Sequence, residues 1–232
     1  MSSNVLRFTF LIFGLLCAIT AQTSSLDSVD LLFGTRSAGR TLGQHAGLTP
    51  SVCEPFGAVH WSPMTRVSEF GRVCFDIDDT HLLGLTGTRQ MAIWMGEWGQ
   101  FSFLPSVGEG IPPCDFSSRR LQLKKESCRY TPYEGRVVAG GVTTEWTGSS
   151  LAAIYRITFP AGQSPRIVVD ASRDFVHAAD WLKKAFDLVP ADGGVSVGSD
   201  GRSLSAWNTD IQDRGRGPRL PNFRVHLKME FS

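Results

Sequence analysis

The sequence predicts a mainly β protein, an antiparallel β-sandwich of two stacked sheets with one short helix. Three observations predict it. Short β-type runs recur through the chain, they alternate apolar and polar residues, and turn residues stand between them. With 24 Gly and 12 Pro in 232 residues, such punctuation is plentiful. A chain of this length buries about 70% of its unfolded surface, enough for a proper core.

The clearest strand is the last one. Phe223, Val225, Leu227, Met229 and Phe231 fall on one face and Arg224, His226, Lys228 and Glu230 on the other. That is the period-two pattern of a half-buried strand. Tyr155, Ile157 and Phe159 alternate with Arg156 and Thr158 in the same way. Further runs are expected at Ala58–Trp61, Val73–Phe75, Phe101–Leu104, Gly135–Ala139, Arg166–Asp170 and Val195–Val197. One segment departs from the pattern. Phe175, Ala178, Ala179, Leu182 and Phe186 share a helical face, with Asp174 placed to cap and Pro190 to stop it, so the short helix is expected there.

Met1–Ala21 reads as a signal peptide: Arg7, an apolar run from Phe8 to Leu16, then a small residue at Ala21. The run is shorter than the roughly 20 residues that span a bilayer, so stable membrane insertion is not expected. Residues 22–232 are read as the exported domain, secreted and extracellular. After removal of Cys17, an even set remains: Cys53, Cys74, Cys114 and Cys128. In an oxidising compartment two disulfides are expected, with three connectivities open. The balance of 23 Lys+Arg against 22 Asp+Glu excludes the concentrated positive field that nucleic acid requires.

Catalytic motifs of metalloproteases, phosphate loops, dinucleotide folds and serine hydrolases are absent. The five histidines share no metal-ligand spacing. Asp76-Ile77-Asp78-Asp79 is the densest acidic run, but it lacks the glycine turn and terminal Glu of an EF-hand loop. Alternation would place Asp76 and Asp78 on a solvated strand face. Arg214, Arg216 and Arg219 read as a solvated loop.

The informative block is Gly84–Gly99, glycine-rich and aromatic. Glycine permits tight loops and close backbone approach. Trp94 and Trp98 supply flat apolar faces, while Arg89, Gln90 and Glu97 supply hydrogen-bonding groups. A sugar ring stacks its C–H face on an aromatic plane while its hydroxyls bond polar neighbours. These five are the candidate substrate-binding residues. The alternative is that both tryptophans belong to the core.

Several blocks, in order, resemble the N-terminal domain of glycoside hydrolase family 92, the calcium-dependent exo-α-mannosidases. Val29–Thr35 resembles its opening, and Gly47–Val52, Pro55–Gly57, Trp61 and Thr65-Arg66 its next block. Gly87–Gln90 with Ile93–Glu97 resembles its Gly-Thr-His-Gln-Pro-Ala-Ile-Trp-Met-Gly block. Asn208–Asp213, Gly217-Pro218 and Pro221–Phe223 are similar to its Asn-x-x-Arg-Gln-Asp, Gly-Pro and Pro-Asn-Phe segments. Arg89 stands in place of His, Met91 of Pro, and Ile211 of Arg, while His226-Leu227 replaces an aromatic pair.

The resemblance implies a β-sandwich that partners a larger (α/α)6 barrel, with the active site between them. The acid, the base and the calcium ligands belong largely to the barrel, so residues 22–232 are expected to be C-terminally incomplete, with no catalytic pair and no cofactor of their own. Inverting hydrolysis needs two carboxyls about 6.5–9.5 Å apart, and no motif here supplies them. The implied partners are a mannose-containing glycan and the barrel. Trp94 would stack on a mannosyl unit, with Arg89 and Gln90 bonding its hydroxyls. A stand-alone carbohydrate-binding module without catalysis is the other reading.

Overall fold

The computed structural model describes residues 25–39, 44, 46–67, 73–88, 99–171, 192–209 and 221–232. Met1–Asp30 forms one unit, in which a 3-10 turn at Ser25–Ser28 is described. The second unit, Leu31–Ser232, holds the strands. In chain order these are β1 (His60–Met64), β2 (His81–Leu82), β3 (Gly84–Thr88), β4 (Ser102–Val107), β5 (Leu121–Gln122) and β6 (Arg129–Tyr130). There follow β7 (Gly135–Ala139), β8 (Val142–Gly148), β9 (Ala153–Thr158), β10 (Pro165–Asp170), β11 (Gly193–Val197), β12 (Ser203–Asn208) and β13 (Val225–Glu230).

The first sheet has the order β1-β3-β4-β10 and the second β6-β7-β8-β9, all pairs antiparallel. The chain leaves the first sheet after β4, builds the second as a meander, and returns as β10 beside β4. A third sheet, β11-β12-β13, is another meander, and β2 pairs with β5. Gly140 and Gly141, with φ of 54° and 82°, form the two-residue turn between β7 and β8. Two successive positive φ values suit the right-handed twist of a hairpin, and glycine adopts them without steric cost.

The two four-stranded sheets stack on a shared core. One row of the first sheet aligns Leu85, Phe103 and Val169 across β3, β4 and β10. One row of the second aligns Tyr130, Gly135, Trp146 and Tyr155 across β6 to β9. Phe103 meets Tyr155 edge-on at 4.8 Å between ring centroids, and Trp146 stacks on Tyr155 at 6.3 Å. Such aromatic pairs add about 0.5–1.5 kcal/mol beyond the area they bury. Gly135 is the gap in the row that makes it possible. A Cβ there would lie 2.1 Å from the Trp146 ring, so the indole occupies the space a side chain would take. Burial pushes the Tyr155 phenol up, and burial together with Cys128 pushes up that of Tyr130.

The mainly β expectation holds, and β7 spans the run expected for it. Tyr155 and Ile157 pack against the core as their alternation requires. Three differences have physical reasons. Val73–Phe75 is not a strand. Cys74 and Phe75 are buried, and the Cys74 carbonyl accepts the Thr65 and Arg66 amides outside any ladder. Gly84–Thr88, in the block whose glycines permit tight loops, is the interior strand β3, and β8 and β12 lie outside the expected runs. The described α-helix, Phe116–Arg119, is capped by Asp115, whose carboxylate accepts the Ser118 amide at 2.8 Å. The helix expected near Phe175–Phe186 lies outside the described residues, as do Met1–Ala21 and Arg214–Arg219.

Candidate functional site

Arg89, Gln90, Trp94, Glu97 and Trp98 all fall within residues 89–98, between β3 and β4 and outside the described residues. Their flanks are well defined. Thr88 is fully buried, and the chain resumes at Gln100, which is also buried. Thr86 stands opposite Ser102, and Ser102 opposite Asp170. The carboxyl ends of β3 and β10 therefore share one end of the first sheet with the amino end of β4.

A buried polar network ties this end together. Asn208, at the carboxyl end of β12, is fully buried and donates its side-chain amide to the Gln100 carbonyl at 3.1 Å and the Ala171 carbonyl at 2.7 Å. Asp170 accepts Arg119 Nη2 at 2.6 and 2.7 Å and the Ser102 hydroxyl at 2.7 Å. The Arg119 and Asp170 side chains are 4% and 13% exposed, so neither charge is left to water. Close contacts offset the desolvation of a buried ion pair, and here Arg119 Nη2 makes two to the carboxylate and the Ser102 hydroxyl a third. Arg119 also lies over the Phe116 ring at 4.4 Å, while its Nε has no hydrogen-bond partner. The described ends adjoining residues 89–98, 172–191 and 210–220 thus meet through Asn208 and its two acceptors. Thr86 adds a hydroxyl bond to the Phe101 carbonyl at 2.8 Å.

The acidic run Asp76–Asp79 is not a solvated strand face. Asp76 is 2% exposed, accepts the Ser37 amide at 3.0 Å and the Asp78 amide at 2.9 Å, and pairs with Arg66 at 3.2 Å. Burial alone would raise its pKa, but the hydrogen bonds from Ser37 and Asp78 and the Arg66 charge hold it below the ordinary carboxylate value. Asp79 takes a two-pronged bond from Arg66, at 2.7 Å on each prong, and the Thr65 hydroxyl at 2.6 Å; Asp78 pairs with Arg36. Carboxylates already engaged by arginine do not fit calcium, which needs six to eight oxygen ligands. Among the described residues no cluster of three His, Cys, Asp or Glu side chains is placed to hold a metal ion. A cavity of about 400 Å³ lies beside Arg66 and Asp79, with Phe116 and Arg120 on its wall.

The four cysteines expected to pair are thiols in the structure. Cys74 is buried beside Met64 and Leu83, Cys114 is exposed, and Cys128 donates weakly to the Lys124 carbonyl at 3.5 Å. Each stands in a separate setting. Burial pushes the Cys53 thiol pKa up. No described helix is long and apolar enough to cross a membrane.

In the sequence Asn208 stands at the head of the Asn208–Asp213 segment, and nothing local marks Arg119 or Asp170. The legible signal was a polar residue closing an apolar strand run. The partners, 51 and 108 residues away, carry no local signature.

Fold and anchored end together define an antiparallel β-sandwich domain. The sequence matches the glycosyl hydrolase family 92 N-terminal domain over residues 28–232, and the chain belongs to that family. Similar solved structures include a family GH92 inverting mannosidase from Bacteroides thetaiotaomicron VPI-5482, 23% identical with a TM-score of 0.72. That match covers 92% of this chain and 26% of the mannosidase. A family GH92 α-mannosidase from Bacteroides thetaiotaomicron is 18% identical with a TM-score of 0.58, over 79% of this chain and 23% of that one. A structure of that enzyme in complex with mannoimidazole gives a TM-score of 0.57 at 18% identity, with the same 79% and 23% coverage. At these identities the likeness carries the fold. The chain spans about a quarter of the length of these mannosidases. A search of curated proteins finds no match.

Proposed function

We propose that this chain serves as the substrate-wall domain of a secreted α-mannosidase-type glycosidase acting on mannose-containing glycans. The family match across residues 28–232 carries the reading. Trp94 stacks on a mannosyl unit, Arg89 and Gln90 bond its hydroxyls, and Glu97 and Trp98 complete the wall. Supporting this role, Thr88 on one flank of the segment is buried and Gln100 on the other is tied to Asn208, and fixed flanks lower the entropic cost of binding.

Hydrolysis in this proposal needs an acid and a base that this chain does not provide, supplied by a barrel domain of the kind the family pairs with the sandwich. The carboxylates Asp76, Asp79 and Asp170 are committed to arginines, which makes them anchors rather than proton carriers. That commitment also favours the second reading, a carbohydrate-binding module without catalysis. Calcium, in this proposal, belongs with the barrel.

Calorimetric titration of the purified chain with mannan tests the wall. Binding is expected, and Trp94→Ala should weaken it by roughly 1–3 kcal/mol, the scale of one buried aromatic contact. A folded sample that ignores mannan rejects it. Release of mannose from an aryl α-mannoside by this chain alone would overturn the assignment of acid and base elsewhere.

A further inference from the structure

The outer face of the second sheet carries a line of charge that the proposed wall does not use. Register places Arg129 on β6 opposite Arg136 on β7, Arg136 opposite Glu145 on β8, and Glu145 opposite Arg156 on β9. Directly opposed side chains stand about 4.5–5.5 Å apart at Cβ, so the four charges form one row across the sheet. Glu145 takes Arg156 at 3.2 Å, and Arg129 reaches Glu134 at 3.5 Å. Arg136, which is exposed, is in no ion pair among the described residues.

Like charges directly opposite each other destabilise a sheet. The Arg129–Arg136 pair is therefore an arrangement that an incoming anion would relieve. Arg129 and Arg156 are 62% and 79% exposed, so both guanidinium groups meet solvent while each faces a glutamate, and Arg136 between them is the one without an ion pair among the described residues. The row floors a cleft of about 390 Å³ that Thr147 and Ile154 also line. The Thr147 hydroxyl is held in place by donating to the Tyr133 carbonyl at 2.7 Å.

We propose that this face binds an acidic polysaccharide, with Arg129 and Arg136 clamping the carboxylate of a uronate unit. Guanidinium forks match carboxylates in two-pronged geometry, and two of them side by side give one anion four donors. An open floor four strands wide suits an extended chain whose carboxylates repeat along its length. The inference uses none of residues 89–98, and its charged row lies on the face of the second sheet that points away from the first.

Titration calorimetry with polygalacturonate at low ionic strength tests it. Binding is expected, weakened at least tenfold in Arg136→Gln and falling as salt rises. The variant should melt close to the parent, since it removes the like-charge opposition to Arg129 together with the opposite-charge one to Glu145. Undiminished binding by Arg136→Gln overturns the proposal, as does a failure of the parent protein to bind. Equal affinity for polyglutamate overturns the assignment to a polysaccharide.

Discussion

The side-chain amide of Asn208 donates to the Gln100 carbonyl at 3.1 Å across 108 residues of sequence. The same amide donates to the Ala171 carbonyl at 2.7 Å, so one nitrogen holds two remote stretches of backbone. A buried acceptor that loses its donor costs about 1–3 kcal/mol. Asn208→Ala removes both bonds, and a loss of about 1–3 kcal/mol is expected from urea unfolding. Asn208→Asp should lose more at neutral pH, because it turns a carboxylate toward two carbonyl oxygens. An unchanged urea midpoint for Asn208→Ala would show that the network does not anchor this end.

Arg119 and Asp170 make a second test of the same end. Removing one partner of a buried ion pair strands the other charge and costs about 3–5 kcal/mol. Asp170→Asn and Arg119→Met are each expected in that range, with the Ser102 hydroxyl losing its acceptor charge in the first. The double variant should be less destabilised than the sum, since it leaves no uncompensated charge. A double-mutant cycle by denaturant unfolding measures the coupling. Simple additivity would mean that the two side chains do not stabilise each other.

The strands were legible where one face meets the core and the other meets water. Val225 and Tyr155 lie on the sides their alternation assigns, since a slip of one residue would turn the apolar set outward. β3 was hidden because glycine, a loop former in isolation, serves there as a spacer. A Cβ on Gly87 would lie 2.7 Å from the Trp61 ring. β4 was read short of its end because Pro105 interrupts the pattern. The β3 ladder covers only Phe103 and Ser102, so Pro105 sits where β4 has just one neighbour and needs no second donor. Pro63 is tolerated in β1 for the same reason, at the edge of the sheet. The Asn208 and Asp170 contacts were illegible, since they depend on which strands become neighbours. The tryptophans of residues 89–98 were legible as chemistry alone.

Acid should destabilise the fold in two stages. Burial lowers the His60 pKa below its ordinary 6.5, so the unfolded chain takes up a proton first. That contribution is complete above 6.5 and is lost as pH falls through the lower folded value. Asp76 is likewise depressed, below 3.8, with Ser37, Asp78 and Arg66 outweighing the opposing effect of burial. Its contribution is complete above 3.8 and is lost at still lower pH. Melting temperature followed from pH 8 to pH 2 should therefore show two declines. His60→Gln should flatten the first and Asp76→Asn should reduce the second, which Asp115 and Asp200, also held below the ordinary carboxylate value by their hydrogen bonds, share. A first decline that persists in His60→Gln would assign it to another group.

Phe56 is the residue whose replacement should improve the protein. Its φ is 63°, and its side chain is fully exposed, at 106%. It occupies the third position of the Glu54–Gly57 turn, closed by the Gly57 amide donating to the Glu54 carbonyl at 2.8 Å. Pro55 before it fixes the preceding φ, and a turn of that kind calls for glycine or asparagine at the third position. A left-handed backbone costs a side-chain-bearing residue about 1–2 kcal/mol. Glycine removes that cost but adds about 0.5–1 kcal/mol of unfolded-chain entropy. With no burial to lose, Phe56→Gly should gain roughly 0.5–1 kcal/mol, read from the urea midpoint at constant slope. Phe56→Asn should gain less, since asparagine tolerates the conformation without the full freedom of glycine. Destabilisation by either variant would mean that the exposed ring contributes to folding through contacts its exposure argues against.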